Sequence, residues 1–500
     1  MNIHNSCTIY KPTNMLNCLY PTQFACINLY QNPDRMLCAC AIILAVLSLL
    51  FYPIYHNNKN NPPIDPIKSR QIIIGKQLPS QSHQKSESRL TPLQSRAIPN
   101  QRVRIVFGVD NAFTSHDENH VRRFIAKARG LINLDPADWY ALAEMTRIAA
   151  RGSIERAIDA SASSSIAHTR IPVVNLIQTV TLRVISRVLF TMEDEEVLNL
   201  QDKHLLNLAN AINDTWISSK TTSTTPTPRF EDNNHLQDSL TSIFPNIDLT
   251  RENPLNLLLP GFETMWRVIL RAFLETGYTP AGTGHPEWRG ILAAFARKPT
   301  RGQFTLLHNN EDSSSNGGGV SVEMLVNETL RLYPPTRRVY RAFQFAEPEP
   351  ELQSSSPCMS RSGSRPKSTT ITSADIETIQ TAPCIWGPEA SVFNPTRWRC
   401  GLATTQEKKA FFPFGSAPFV CPAQKVFGPR VIGLVLGALF LELGVGVDGS
   451  SGWVLGSGCD DSDGGGGDLE GLRSGMRLSN ERDAYRELYL VRGGDVKKPE

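Results

Sequence analysis

The stretch FFPFGSAPFVCPAQKVFGPRVIGLVLGALF, residues 411–440, is the most informative part of the sequence for the fold. In it a Phe-Gly pair, Phe414 and Gly415, precedes a single cysteine, Cys421, and Pro422 and an apolar helical run follow directly. Because proline suits the first turn of a helix, the pattern places Cys421 at a helix N-terminus. Free amides and the positive end of the helix dipole favour a thiolate there, and a thiolate is what an iron ligand requires.

This stretch resembles the haem-binding loop of the cytochrome P450 family, F-G-x-G-x-[RH]-x-C-x-[GA]. The positions in register are Phe414, Gly415, Cys421 and Ala423. Ala417 stands where the family has its second glycine, and Phe419 stands where a basic residue usually reaches a haem propionate. The resemblance implies that Cys421 is the axial ligand of the iron of haem b, with a weaker propionate clamp. The alternative is a buried free cysteine before a core helix.

A Glu-x-x-Arg motif lies upstream, in Glu328-Thr329-Leu330-Arg331. The carboxylate and the guanidinium are one helical turn apart and can meet. On an exposed helix such a pair is only a minor surface salt bridge. In the cytochrome P450 family the pair is buried and joined by a residue from a later loop. The resemblance implies that this loop is WGPEASVFNPTRW, residues 386–398, with Arg397 as the third partner.

Arg341 follows ten residues after the Glu-x-x-Arg motif, where the family commonly directs an arginine to a haem propionate. A rigid guanidinium fork suits a carboxylate acceptor. The alternative is a solvated arginine in a basic run with Arg337 and Arg338. No Trp-x-x-x-Arg motif is visible around ENHVRRF, residues 118–124, where the family has more propionate contacts and where Arg122 or Arg123 is the possible substitute.

The segment LLLPGFETMWRVIL, residues 257–270, resembles the family's oxygen-binding helix through Gly261, Glu263 and Thr264. The glycine leaves room for dioxygen, and the acid and the hydroxyl relay protons, so Glu263 and Thr264 are candidate catalytic residues. Pro260 is expected to kink this helix. The alternative is an ordinary helix start with Thr264 facing the core.

Composition excludes several other classes of protein. The net charge of +3 offers little attraction to nucleic acid. Ten cysteines are present, but those within residues 101–500 form no Cys-x-x-Cys pair, so neither a zinc site nor a disulfide framework is indicated.

An apolar run divides the chain. From Met36 to Ile54 it holds 19 residues without a charge, which predicts a single transmembrane helix at residues 36–55. Residues 1–35 form a tail, either lumenal or a mispredicted extension. Residues 56–100 are predicted to be a proline-rich, poorly packed linker, and residues 101–500 the catalytic domain. More basic residues follow the run than precede it, so the body is expected to face the cytoplasm from the endoplasmic reticulum membrane.

Residues 101–500 are predicted to have a mainly α fold with a small β part. Apolar residues recur there at helical spacing in HVRRFIAKARGLI, DWYALAEMTRIAARGSIERAI and PVVNLIQTVTLRVISRVLF. The resemblance implies a cytochrome P450-like fold with an N-terminal anchor. It also implies a monooxygenase that uses dioxygen to oxidise a lipophilic small molecule. No G-x-G-x-x-G motif for NADPH is visible, so electrons are expected from NADPH-cytochrome P450 reductase. Similarity to filamentous-fungal members suggests secondary metabolite biosynthesis.

Two other functions stay open on the sequence. One is a haem-thiolate isomerase or lyase that needs no reductase, against which the Glu263-Thr264 pair argues. The other is a membrane-tethered scaffold or decayed enzyme, which Phe419, Pro260 and the Ser/Gly-rich insertions suggest.

Overall fold

The computed structural model describes residues 65–75, 90–162, 169–220, 228–308, 319–344, 369–399, 401, 404–444, 452–458 and 467–492. All of them belong to one compact unit, Asp65–Glu500. The predicted tail at residues 1–35 and the predicted transmembrane helix at residues 36–55 lie outside the described residues. No helix in the described ranges is both long enough and apolar enough to cross a membrane.

Helices make up most of the described chain. Helices α1 to α10 are Pro66–Ile73, Pro92–Ala97, Gln101–Phe107, Glu118–Leu131, Pro136–Ala162, Val173–Leu189, Asp194–Asn199, Asp202–Ser218, Asn234–Thr241 and Leu255–Leu258. Helices α11 to α20 are Thr264–Gly277, Pro280–Gly284, Glu287–Arg297, Arg301–Thr305, Val322–Leu332, Ile376–Gln380, Pro383–Trp386, Thr405–Ala410, Phe427–Glu442 and Gly467–Arg473. Short 3-10 turns lie at Ile98–Asn100, Phe230–Asp232 and Pro395–Trp398.

The described strands are short and form two antiparallel sheets. Strands β1 to β5 are Arg170–Pro172, Arg338–Gln344, Thr369–Asp375, Trp453–Ser457 and Leu488–Arg492. One sheet has the order β1-β5-β4, with Ile171 opposite Leu490. The other pairs β2 with β3 and sets Arg341 opposite Thr372.

The mainly α prediction with a small β part is confirmed. The three segments with helical spacing correspond to α4, α5 and α6. Helix α6 is buried almost all round, and this explains why apolar residues occupy nearly every face of it rather than one stripe.

Helix α19 follows the Cys421 loop and is largely buried. It is apolar on nearly all faces and packs along α13 and α5. Gly437 permits the closest approach, because a Cβ at this position would lie 2.1 Å from the carbonyl oxygen of Leu292 on α13. The two helices therefore meet backbone to backbone, and their contact fixes the place where the loop joins the core.

The predicted linker at residues 56–100 is partly helical and packed, so the expectation of a poorly packed segment is wrong for its described residues. Asp65 caps α1, and Thr91 forms a capping box with Gln94 at the start of α2. Ile72 and Ile73 of α1 are buried in the core. Among the described prolines of this segment, Pro66 and Pro92 sit in the first turns of α1 and α2, a position that proline tolerates.

A buried polar network joins α11 to the end of α15 and to the chain before β5. Glu275 accepts a hydrogen bond from Tyr333 Oη, which in turn accepts one from the Leu478 N–H at 3.1 Å. Thr279 Oγ1 lies 3.0 Å from Glu275 Oε2 and 3.0 Å from the Glu275 carbonyl oxygen. Because Thr279 has a single hydroxyl proton, the arrangement favours a neutral Glu275 that donates to Thr279. Burial raises the pKa of Glu275 to about 7.

Glu275→Gln is therefore expected to stabilise the fold at alkaline pH. The folded-state pKa is raised, so the wild type is most stable below the unfolded value of 4.5 and loses stability as the pH rises to about 7. The loss amounts to about 3 kcal/mol or less. Glutamine keeps both hydrogen bonds without a charge. Thermal unfolding at about pH 5 and about pH 8 checks this. The midpoint of thermal unfolding of Glu275→Gln should exceed that of the wild type only at the higher pH. An equal increase at both pH values would contradict this prediction.

Candidate active site

The Cys421 loop is closed by its own backbone. The Cys421 N–H donates to the carbonyl oxygen of Phe414 at 2.9 Å. Gly415 has a φ of +75°, and a Cβ there would lie 2.9 Å from the carbonyl oxygen of Phe419. Both the backbone angle and the close approach require glycine at this position. Phe414 and Gly415 thus set the course of the loop that presents Cys421.

The helix after Cys421 begins later than predicted, so the placement of Cys421 at a helix N-terminus is wrong. Helix α19 starts at Phe427, and turns occupy residues 422–426. The Gly428 N–H bonds to the carbonyl oxygen of Ala423 at 2.8 Å, which is five residues back and wider than an α-helical turn. The proline in the first turn of α19 is Pro429, not Pro422.

The Cys421 thiol is half-buried, and its surroundings favour the protonated form. Burial raises the pKa of Cys421, and a hydrogen bond from the Ala423 N–H opposes this in part. Without a helix dipole at the sulfur, a cation is needed to hold the thiolate. Iron at this position would meet that need.

Glu328 and Arg331 form a buried ion pair on α15. Both side chains are 0% exposed. Arg331 Nε donates to Glu328 Oε2 at 2.9 Å and Nη2 donates to Oε1 at 2.8 Å. Arg331 Nη1 donates to the carbonyl oxygens of Gln380 and Ala390 at 2.8 and 2.7 Å. The alternative of an exposed surface bridge is therefore wrong for this pair.

The segment at residues 386–398 completes this cluster. Arg397 Nε lies 3.5 Å from Glu328 Oε1, and Arg397 Nη1 donates to the carbonyl oxygen of Trp386 at 3.0 Å. Trp398 Nε1 donates to Glu328 Oε2 at 2.9 Å, and the Asn394 N–H donates to Oε1 at 3.0 Å. The structure thus brings Glu328, Arg331 and Arg397 together. Trp398 and Asn394 were missed by sequence reasoning, although Trp398 directly follows Arg397.

Arg341 differs from the neighbouring arginines of β2 and its approach. Arg338 pairs with Asp375 at 2.8 Å on the surface, and Arg337 is half-exposed. Arg341 is only 5% exposed, and its Nη1 donates to the carbonyl oxygen of Tyr340 at 2.8 Å. Its Nε is buried without a hydrogen-bond partner among the described residues. The alternative of a solvated arginine is therefore wrong, and Arg341 holds an unused donor for an anion.

The suggested substitutes on α4 do not offer such a donor. Arg122 is 71% exposed and pairs with Glu118 one turn away. Arg123 is also exposed. Both face solvent from α4, so neither offers a donor to a buried carboxylate.

The predicted oxygen-binding segment contains an irregular helical turn. A π-helical turn at Leu259–Glu263 contains Pro260, the residue at which a kink is predicted. A Cβ at Gly261 would lie 2.6 Å from Leu189 Cδ1, so this glycine permits close packing on α6. The Thr264 hydroxyl donates to the carbonyl oxygen of Pro260 at 2.7 Å. The structure gives Gly261 a packing role in addition to any role beside dioxygen.

Glu263 is held by residues distant in sequence. It is 2% exposed and accepts hydrogen bonds from Arg482 and, at 3.3 Å, from Trp266 Nε1. The Arg482 guanidinium stacks on Trp216, with its Cζ 4.9 Å from the ring centroid. Sequence reasoning missed Arg482 because it is 219 residues away from Glu263.

No protein-family profile matches the chain. Its curated relatives include cytochrome P450 CYP72A616 of Paris polyphylla, 33% identical over 111 residues, which are 21% of this chain and 18% of the relative. Cytochrome P450 714D1 of Oryza sativa subsp. japonica is 27% identical over 36% of this chain and 28% of its own length. Cytochrome P450 52A9 of Candida maltosa is 28% identical over 35% of this chain and 32% of its own length. Each match spans less than a third of the relative.

Two solved structures are similar at low identity. A 6-coordinated cytochrome P450 from Thermus thermophilus is 16% identical, with a TM-score of 0.42 over 75% of this chain and 82% of that one. The haem domain of a cytochrome P450DA mutant is 15% identical, with a TM-score of 0.47 over 79% of this chain and 80% of that one.

Proposed function

We propose that this chain is a haem-thiolate monooxygenase of the cytochrome P450 family, a proposal supported by its partial sequence similarity to several cytochromes P450. The observation that carries the proposal is a half-buried Cys421 on a loop closed through Phe414 and turned by Gly415. The reaction is the oxidation of a lipophilic small molecule by dioxygen. A reduced carbon-monoxide difference spectrum tests it, since well-folded protein without a thiolate-type Soret band would refute it.

The side chains that are present suit haem, the cofactor that the family implies. Bound haem supplies the activation of dioxygen. Cys421 would hold the iron, and the Nε of Arg341, which has no hydrogen-bond partner among the described residues, would donate to a propionate. The Glu328–Arg331 pair holds α15 against the segment at residues 386–398 and so keeps this part of the core rigid.

Proton delivery falls to Thr264 and Glu263. The Thr264 hydroxyl would exchange its bond to the Pro260 carbonyl oxygen for one to the reacting oxygen. Glu263 would pass a proton only after its contact with Arg482 opens. The opening of this contact would then accompany turnover.

Thr264→Ala is expected to keep the haem and to uncouple oxygen use from product formation. Loss of the hydroxyl removes a proton donor but leaves Cys421 untouched. Product formed per dioxygen consumed should fall by about tenfold or more. The matched control is Thr276→Ala, because Thr276 on the same helix donates in the same way to the Ala272 carbonyl oxygen at 2.7 Å. If both variants formed the same amount of product per dioxygen consumed, the role of Thr264 in proton delivery would be refuted.

Partners and location belong to the same proposal. Electrons come from NADPH through a separate NADPH-cytochrome P450 reductase, a choice supported by the family and by the lack of a visible nucleotide-binding motif in the sequence. The apolar run Met36–Ile54 supports a single-pass anchor in the endoplasmic reticulum membrane with a cytoplasmic catalytic domain. The substrate class, a lipophilic compound of fungal secondary metabolism, rests on analogy.

A haem-thiolate isomerase or lyase is the second candidate. The contact of Glu263 with Arg482 and the bond of Thr264 to the Pro260 carbonyl favour it, since both groups that would relay protons are engaged. Product formation with and without NADPH and reductase separates the two functions. Full turnover without either component would favour the second candidate.

A further inference from the structure

A second buried arginine lies beside the Cys421 loop. Arg96 on α2 is 4% exposed, and its Nε and Nη2 are buried without a hydrogen-bond partner among the described residues. Helix α2 packs on β2, the strand that carries Arg341. In addition, Arg70 of α1 donates from Nε to Ser416 Oγ at 3.2 Å and ties the N-terminal helices to the loop.

Arg96 and Arg341 converge on one aromatic ring. The Arg96 Cζ lies 4.2 Å from the ring centroid of Phe419, and the Arg341 Cζ lies 5.1 Å from it. Phe419 stands two residues before Cys421. The ring attracts both cations but offers no hydrogen-bond acceptor in its plane to their N–H groups. The phenyl side chain therefore positions the two guanidinium groups but leaves their N–H groups without a hydrogen-bond acceptor.

Arg96 and Arg341 are buried cations that no carboxylate of the described residues neutralises, which is an unfavourable arrangement. Burial lowers the pKa of Arg96 to about 10, and burial together with the charge of Arg96 lowers the pKa of Arg341 to about 9. An uncompensated buried charge is costly, and a guanidinium fork suits a carboxylate. The pair thus has the charge and the unused donors to bind an anion with carboxylate groups.

We propose that Arg96 and Arg341 together bind the propionate carboxylates of haem. Arg96 then takes the place of the basic side chain that the family has at position 419. The assignment rests on the proposed function, because it needs haem on Cys421. It explains how a chain with Phe419 keeps a propionate clamp: the missing base is supplied from α2, in the segment that the sequence predicts to be a linker.

The test uses the purified holoprotein and the variants Arg96→Gln, Arg96→Lys and Arg341→Gln. Arg102→Gln is the matched control, since Arg102 is an exposed arginine on α3. Haem loss to an excess of apoglobin is followed through the Soret band. The propionate bending bands in resonance Raman spectra report hydrogen bonds to these carboxylates. Binding of fatty acids is followed by the substrate-induced Soret shift.

Arg96→Gln and Arg341→Gln are each expected to speed haem loss by about 10- to 100-fold and to shift the propionate bands. Both should retain the thiolate-type spectrum. Arg96→Lys should lose haem more slowly than Arg96→Gln, and Arg102→Gln should lose it at the wild-type rate. Unchanged haem loss and propionate bands in Arg96→Gln would overturn the proposal. So would an effect confined to fatty acid binding, which would make the pair a substrate site. A wild type without the thiolate-type band would instead refute the proposed function.

Discussion

Replacing Cys421 with serine is expected to abolish the thiolate-type Soret band and the proposed monooxygenase turnover. A serine hydroxyl stays protonated and does not donate electron density to iron as a thiolate does. The loop itself should survive, because the Cys421 N–H to Phe414 carbonyl bond and the left-handed Gly415 do not involve the sulfur. The measurement is the reduced carbon-monoxide difference spectrum, together with haem content per protein.

Cys384→Ser supplies the control. Cys384 is a free cysteine exposed on α17, so its loss changes the thiol count but not the buried environment. This variant should keep the wild-type spectrum. A thiolate-type band in the Cys421→Ser protein would mean that another sulfur holds the iron, and the assignment of the loop would fail.

The features that were predictable are local in sequence. Phe414, Gly415 and Cys421 lie within one short loop, so their spacing constrains the turn, and the structure shows the reason in the φ of +75° at Gly415. The same holds for Glu328 and Arg331, which are one helical turn apart. The mainly α fold follows from helical spacing over long segments.

Two of the features that could not be predicted depend on distant contacts. Arg482 meets Glu263 across 219 residues, and no pattern around either residue signals the other. Arg96 is hidden in a proline-rich segment whose composition favours an extended chain, but packing on β2 stabilises it as a helix. Tertiary packing overrode local composition there. The late start of α19 has a local cause, since Pro429 as well as Pro422 can occupy a first turn.

Glu328→Gln is expected to destabilise the protein by about 3–5 kcal/mol. Glutamine keeps the shape of the side chain but leaves the charge of Arg331 uncompensated at a site where both side chains are 0% exposed. It also weakens the acceptor for the Trp398 indole and the Asn394 N–H. The midpoint of urea unfolding, followed by intrinsic fluorescence and by the Soret band, should fall accordingly.

Two comparisons separate the buried charge from an ordinary ion pair. Glu118→Gln breaks an exposed pair in which Glu118 is 73% exposed, and it should cost less than about 0.5 kcal/mol. The double variant Glu328→Gln, Arg331→Met removes both charges and should recover part of the loss. Recovery is incomplete, because methionine cannot donate to the carbonyl oxygens of Gln380 and Ala390. If Glu328→Gln cost no more than Glu118→Gln, the buried pair would not hold α15 in place.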